Sequence, residues 1–172
     1  MNELKVKLKK MPWKHKCILI AFTIFNIVLS YYAFDSWILM IKGFLFGTIL
    51  LIASYFDIRT RIIPDWIHVL IILVGFIDFD PVKSILGLVI TPIPFLIMAM
   101  FQEGSIGGGD VKLVGACGFA WGALDCIFIS IIGNLFAIIV AILYQCKYKK
   151  MKQTSYPYVP LWLIGWLLLI VT

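Results

Sequence analysis

Two aspartates beside long apolar segments have the chemistry of a hydrolytic pair. Asp57 follows an apolar run of roughly twenty residues, and Asp110 follows the glycines Gly107, Gly108 and Gly109. Two carboxyl groups within about 3 Å of each other cannot both ionise, so they share one proton. One carboxylate then takes a proton from water while the other group gives its proton to a carbonyl oxygen or a leaving group. Such a pair needs no metal, cofactor or nucleophilic serine, and we expect none here.

The segment that contains the first aspartate reads Asp57-Ile-Arg-Thr-Arg-Ile-Ile-Pro-Asp65. Pro64 suits the first position of a helix, and Asp65 would stabilise the positive end of that helix. Asp57 has no such local reason, because it stands at the unfavourable, negative end of the preceding helix. The alternative is an ordinary basic loop with compensating acids. His68, one turn beyond Asp65, is a further candidate for a role in the site.

The second segment reads Gly104-Ser-Ile-Gly-Gly-Gly-Asp110-Val-Lys112. One alternative is a simple helix cap, in which Asp110 accepts backbone N–H groups. A phosphate loop is another alternative, but it requires Lys and then Ser or Thr after the last glycine. A cap needs one glycine at most, whereas three glycines let a partner chain lie close to the backbone. The run of three therefore favours a functional loop.

Long apolar segments must position these two motifs. Hydrophobic residues make up 62% of the chain and charged residues 14%, far from the balance of a soluble domain. We predict an all-α, polytopic membrane helix bundle with about seven transmembrane helices. The predicted helices cover residues 17–34, 37–56, 64–79, 82–101, 110–123, 124–145 and 157–171.

Details of the predicted helices suggest how they pack. Gly115, Gly118 and Gly122 form a small-residue face, so we expect the fifth helix inside the bundle. Pro92 and Pro94 predict a kink in the fourth helix. The third, fifth and seventh helices are short. We expect the third and fifth to begin in a wetted recess lined by protein, with bilayer thinning as the alternative.

The placement of the basic residues predicts which side faces the cytoplasm. With the N-terminus inside, thirteen of the fifteen Lys and Arg residues fall on the inner side, as the positive-inside rule requires. Of the two exceptions, Lys83 lies in an outer loop and Lys42 can snorkel from the second helix. Residues 1–16 are then a basic cytoplasmic tail and 17–172 a transmembrane domain that carries both aspartates. We therefore expect the basic blocks to mark the cytoplasmic side of a protein in the lipid bilayer and not to bind a nucleic acid.

The four cysteines contain no C-x-x-C pair and lie in or beside apolar runs. They predict neither a zinc site nor a disulfide framework, since small buried hydrophobic residues explain them.

Three motifs together resemble the type IV prepilin peptidases. The segment from Asp57 to Asp65 resembles the family's first aspartate motif, in which basic residues precede I-P-D/N. Gly107-Gly-Gly-Asp-Val-Lys-Leu113 resembles the motif G-x-G-D-x-K-L. Tyr156-Pro-Tyr-Val-Pro160 resembles a late P-F/Y-G-P element, with valine in place of the usual glycine. Archaeal preflagellin peptidases are similar.

The resemblance implies an aspartic endopeptidase with Asp57 and Asp110 as its catalytic pair. It implies substrates with short basic leaders, cut after a glycine ahead of an apolar helix. The enzyme would be a multi-pass protein of the prokaryotic inner membrane with its site facing the cytoplasm, and its products would feed pili or pseudopili. Larger members carry an insert with paired C-x-x-C motifs and methylate the product. This sequence contains neither, so we expect no methyltransferase activity.

Residues that could bind substrate or support the pair are Gly107, Gly108, Gly109, Lys112, Pro64, Asp65 and Glu103. Glu103 and Asp65 are acids that would attract a basic leader. The rival functions are a small transporter or channel subunit, which membrane carboxylates can also serve, and a catalytically silent scaffold that binds pilins.

Overall fold

A computed structural model describes residues 13–101, 107–148 and 159–171 of the chain. Across these ranges the regular structure is helical and contains no strand. The helices are α1 (Trp13–Ala33), α2 (Trp37–Thr60), α3 (Asp65–Gly75), α4 (Pro81–Ile90), α5 (Ile93–Phe101), α6 (Gly108–Trp121), α7 (Ala123–Tyr148) and α8 (Val159–Val171).

The predicted order of helices is confirmed, with one helix in two parts. Helices α4 and α5 are the two halves of the predicted fourth helix. They are separated by a turn at Thr91 and Pro92, where proline supplies no N–H to continue the ladder. Helices α3, α6 and α8 are short, with 11, 14 and 13 residues.

Two helix ends differ from the prediction around the first aspartate motif. Helix α2 continues to Thr60, so Asp57 lies in its last turn and not after it. The Thr60 hydroxyl donates to the Phe56 carbonyl at 2.9 Å, and Arg61 ends the helix in the left-handed region with φ 53°. Pro64 is the N-cap of α3, one position before the predicted one, so Asp65 is the first residue of that helix.

Helix α6 lies inside the bundle, as its glycines predicted. Its residues from Leu113 to Ala120 are buried, and it packs against α3, α4 and α7. At the closest approach, Gly118 of α6 faces Gly87 of α4, and a Cβ on either glycine would meet the backbone of the other. The buried Thr91 hydroxyl lies 2.7 Å from the Gly87 carbonyl and 3.1 Å from that of Val114.

An aromatic cluster fixes α2, α6 and α8 relative to one another. The ring of Trp166 on α8 lies 4.7 Å from the ring of Phe46 on α2 and 4.7 Å from that of Trp121 on α6. Phe46 and Trp166 are fully buried. Aromatic contacts of this kind add to the free energy gained by burial. The three helices that carry the candidate site are therefore joined by one packed core.

Two described segments are long and apolar enough to cross a membrane, namely Trp37–Thr60 and the broken helix Pro81–Phe101. Only 22% of the most apolar stretch of the second segment is buried. Its large side chains Val82, Ile85, Leu86, Val89 and Met98 point away from the protein. An exposed apolar surface of this kind is expected against lipid.

The side chain of Lys42 does not snorkel, so this prediction is wrong. Lys42 is buried, with its Nζ 5.1 Å from the centre of the Trp121 ring and 3.5 Å from the Asp78 carbonyl oxygen. The cation–π contact and the carbonyl replace part of the hydration of the ammonium group.

Candidate active site

Asp57 is a buried carboxylate at one end of the bundle. Only 6% of the residue is exposed, because helices α3 and α8 pack against α2. Its Oδ2 accepts a hydrogen bond of 2.9 Å from the backbone N–H of Val159, the first residue of α8. The acid from the early motif and the start of the last helix therefore meet at this end of the bundle.

Asp110 is the third residue of α6, and Gly107 is the N-cap. The prediction of Asp110 itself as a possible N-cap is therefore wrong by three positions. Its backbone N–H donates to the Gly107 carbonyl at 3.0 Å, and its carboxylate accepts a hydrogen bond from the Gly107 backbone. An acid at this third position that reaches back to the N-cap is one half of a capping box.

The two aspartates interact electrostatically. Asp110 lies at the same end of the bundle as Asp57, outside the two segments that are long and apolar enough to cross a membrane. Partial burial and the nearby charge of Asp57 raise the pKa of Asp110 to about 6, although the hydrogen bond from Gly107 opposes the shift. A carboxyl group with such a pKa can hold a proton while its neighbour is ionised. Such an arrangement can supply one acid and one base.

A polar cluster joins α3 to the start of α6. The buried His68 ring places Nε2 3.1 Å from the Gly109 carbonyl oxygen. Since a carbonyl oxygen only accepts, Nε2 carries the hydrogen. Lys112 forms an exposed ion pair of 3.1 Å with Asp65. The Asp65 carboxylate also lies 3.8 Å from Nδ1 of His68, which is too far for a hydrogen bond.

The three glycines before Asp110 differ in their surroundings. A Cβ at Gly107 would lie 3.3 Å from Oδ2 of Asp110, a tight contact. A Cβ at Gly108 would meet none of the described residues within 4 Å, and one at Gly109 would make ordinary contact with Ile63 at 3.7 Å. Among the described residues, the protein's own packing therefore disfavours a side chain at Gly107 more than at Gly108 or Gly109.

The structure brings most of the predicted site residues together. Asp57, Asp110, the three glycines, Asp65 and Lys112 lie at one end, and Pro64 contributes by starting α3. Glu103 lies outside the described residues, as do positions 156–158 of the late motif. The donor role of Val159 was not predicted. The late motif marked this segment in the sequence but did not indicate that the Val159 N–H would bind Asp57.

The fold and the site define a class: helical proteins with membrane-capable segments and an interacting pair of aspartates at one end. The sequence profile of the type IV leader peptidase family matches residues 44–142, a range that contains both aspartates. The chain belongs to this family.

A curated relative agrees with this assignment. The chain is 32% identical over 129 residues to the prepilin peptidase EppA of Methanococcus maripaludis. The alignment covers 69% of this chain but 35% of that protein, so the chain spans about a third of its relative's length. No solved structure matches the chain.

Proposed function

We propose that the chain is a membrane-embedded aspartic endopeptidase that removes short basic leaders from type IV prepilin-like proteins. The observation that carries the proposal is the interaction of Asp57 with Asp110, whose pKa is raised to about 6 by burial and by the Asp57 charge. Membership of the leader peptidase family supports the choice of substrate.

The proposed reaction is the attack of water on the peptide carbonyl. The ionised carboxylate removes a proton from water as the oxygen of that water bonds to the carbonyl carbon. The protonated carboxyl group gives its proton to the carbonyl oxygen, which leaves a neutral gem-diol. When the C–N bond breaks, the first carboxyl group returns its proton to the nitrogen. The second carboxylate takes a proton back from one hydroxyl of the gem-diol, and the gem-diol carbon becomes the carbon of the new carboxyl group.

We further propose that this end of the bundle faces the cytoplasm of a prokaryotic cell. Arg59 and Arg61 follow Asp57, and Lys112 follows Asp110, so the site end is rich in basic residues. The turn between α3 and α4, at the far end of α3 from the site, carries Asp78 and Asp80. This asymmetry supports an inner side at the site and seven membrane crossings with the N-terminus inside.

The substrate's basic leader would approach acidic groups beside the pair. The side chain of Asp65 is 82% exposed, so it can meet a cation from solution. Its ion pair with Lys112 is exposed as well, and exposed pairs are weak, so a substrate cation can compete for it. Glu103 is a second acid proposed for this role.

The test is cleavage of a prepilin-like substrate by the purified protein in liposomes. The substrate has a basic leader, a glycine and an apolar helix, and mass spectrometry locates the cut. Asp57→Asn and Asp110→Asn should each abolish cleavage while the protein stays folded and inserted. Asp80→Asn is the matched control, since Asp80 caps α4 through Val82 and Lys83 and asparagine caps equally well.

The rival functions give other results in the same liposomes. A transporter or channel would move ions or solutes without cutting the substrate, and a scaffold would bind it intact. Retained cleavage in either aspartate variant would exclude the aspartic mechanism. We propose that no methyl group is added to the product, so labelled S-adenosylmethionine should leave the cut substrate unlabelled.

A further inference from the structure

The contact between Asp57 and Val159 joins two helix ends of opposite polarity. Asp57 lies in the last turn of α2, where the partial charge of the helix is negative and disfavours a carboxylate. Val159 begins α8, where the partial charge is positive. The N–H of a first-turn residue has no acceptor within its own helix. It is therefore free to donate to the carboxylate, as it does at 2.9 Å.

The surroundings of the two aspartates differ in a way that separates their roles. Asp57 accepts an N–H bond from a helix start in a buried place, and such a bond stabilises the charged form of a carboxyl group. For Asp110, burial and the Asp57 charge raise the pKa, and together they outweigh the bond from Gly107. Carboxyl groups whose environments differ in this way divide into an acid and a base.

We propose, on the basis of the proposed function, that the Val159 N–H holds Asp57 as the ionised member of the pair. Asp57 is then the base that takes the proton from water, and Asp110 is the acid that protonates the substrate carbonyl. Val159 is a positioning residue that acts through its backbone.

Other charged groups surround Asp57 and remain in place when this one N–H is removed. Helices α1, α3 and α8 pack against α2. Lys14, His15 and Lys16 belong to the first turn of α1, and the sequence of α8 contains no charged residue. Among the side chains that the structure describes, the charged or titratable groups at this end include Arg59 and Arg61 after Asp57, Asp65 and His68 on α3, and Asp110 and Lys112 on α6.

The proposal also explains a departure from the family's late motif. Valine stands at position 159, where the resembling element has glycine. A backbone N–H is common to both residues and is missing only in proline. The contact therefore depends on where α8 begins and not on which of these side chains is present.

The test is Val159→Pro, which removes the donor at a helix position where proline is well tolerated. The pH dependence of kcat/KM for substrate cleavage is measured in liposomes. The acid limb, which reports ionisation of the base, should move up by about one pH unit, because two or three such donors lower a carboxyl pKa by roughly two units. Cleavage on that limb should fall about tenfold and recover as the pH rises. A merely structural fault would lower the rate equally at every pH.

Two further variants separate the N–H from the side chain. Val159→Ala keeps the N–H, so its acid limb should stay at the wild-type pH even if lost packing lowers the overall rate. Replacing Val159 by the α-hydroxy acid of the same side chain changes the N–H to an ester oxygen and should move the acid limb as proline does. This ester variant decides the question if the proline variant does not fold.

An unmoved acid limb in the ester variant would overturn the proposal, and so would a shift of the alkaline limb alone, which would make Asp110 the base. Failure of the proposed function would look different: the wild-type protein would not cut, or Asp57→Asn would still cut.

Discussion

The imidazole of His68 holds the carbonyl of Gly109, the residue directly before Asp110, at 3.1 Å. His68 is buried on α3, the helix that packs against both α2 and α6. The bond therefore fixes the start of α6 relative to the helix beside Asp57. Because the acid is the next residue in the chain, a shift of the Gly109 carbonyl would move the Asp110 carboxylate as well.

His68→Phe should lower cleavage by about tenfold, because small displacements of reacting groups are costly. Phenylalanine fills a similar space but leaves the Gly109 carbonyl without its donor, which also costs about 1 kcal/mol of stability. His68→Gln retains an N–H donor and should recover part of the activity. The measurements are kcat/KM and thermal unfolding in detergent. Full activity in the phenylalanine variant would remove His68 from the positioning of the site.

The close approach of α4 and α6 predicts a sharp difference between two neighbouring glycines. Gly118→Ala should destabilise the protein by about 1–3 kcal/mol, because the new Cβ would meet the Gly87 backbone and the Thr91 hydroxyl. Gly115→Ala is the matched control. Its Cβ would lie at ordinary distances of 3.6–3.8 Å from Leu88 and Pro92, and alanine favours a helix over glycine. Thermal unfolding of both variants checks the prediction, and equal stabilities would contradict it.

Much of the fold was predictable because local patterns determine it. The glycines of α6 predicted its interior position, and Pro92 predicted the break before α5. The end of α2 was misplaced because the helix continues past an aspartate, with the Thr60 hydroxyl bonded to the Phe56 carbonyl in its last turn, and ends only at the left-handed Arg61. Neither feature disturbs the apolar pattern from which the boundary was predicted.

The site was predictable only in part. Asp57 and Asp110 stood out because each lacked a complete local explanation. The bond from Val159 could not be predicted, since it joins residues 102 positions apart through a backbone N–H that every residue except proline carries. The contact of Lys42 with Trp121 likewise depends on the packing of α2 against α6 and has no signature in the sequence.

Asp110→Asn should stabilise the protein at neutral pH but not in acid. The pKa of Asp110 is about 6 in the folded protein, against an ordinary pKa of 3.8, so the folded state holds its proton more tightly. The stability of the wild-type protein therefore falls as the pH rises from about 4 to about 6. The amide variant lacks this loss and can still accept the Gly107 N–H. The free energy of unfolding of the variant should therefore exceed that of the wild type by about 1 kcal/mol at pH 7.5. This figure allows for the partial exposure of Asp110, which weakens the effect of its charge.

Thermal unfolding at pH 4 and pH 7.5 measures this gain. Asp80→Asn in the same experiment corrects for the loss of a surface carboxylate, since the Asp80 side chain is 48% exposed. A difference between Asp110→Asn and wild type that is the same at both pH values would show that Asp110 is not the group responsible.

The glycine run should resist an added methyl group at Gly107 and tolerate one at Gly108. Gly107→Ala would press its Cβ against Oδ2 of Asp110 at 3.3 Å, so the carboxylate must shift from its place beside Asp57. We expect cleavage to fall by about tenfold. Gly108→Ala adds a Cβ that no residue in the described ranges approaches within 4 Å, so thermal stability should stay at the wild-type value.

The activity of Gly108→Ala then reports on the bound substrate alone. If cleavage falls in a variant of unchanged stability, the space at Gly108 is filled by the substrate backbone, as the three glycines suggested. If Gly107→Ala keeps full activity, the contact between that glycine and Asp110 does not control the acid.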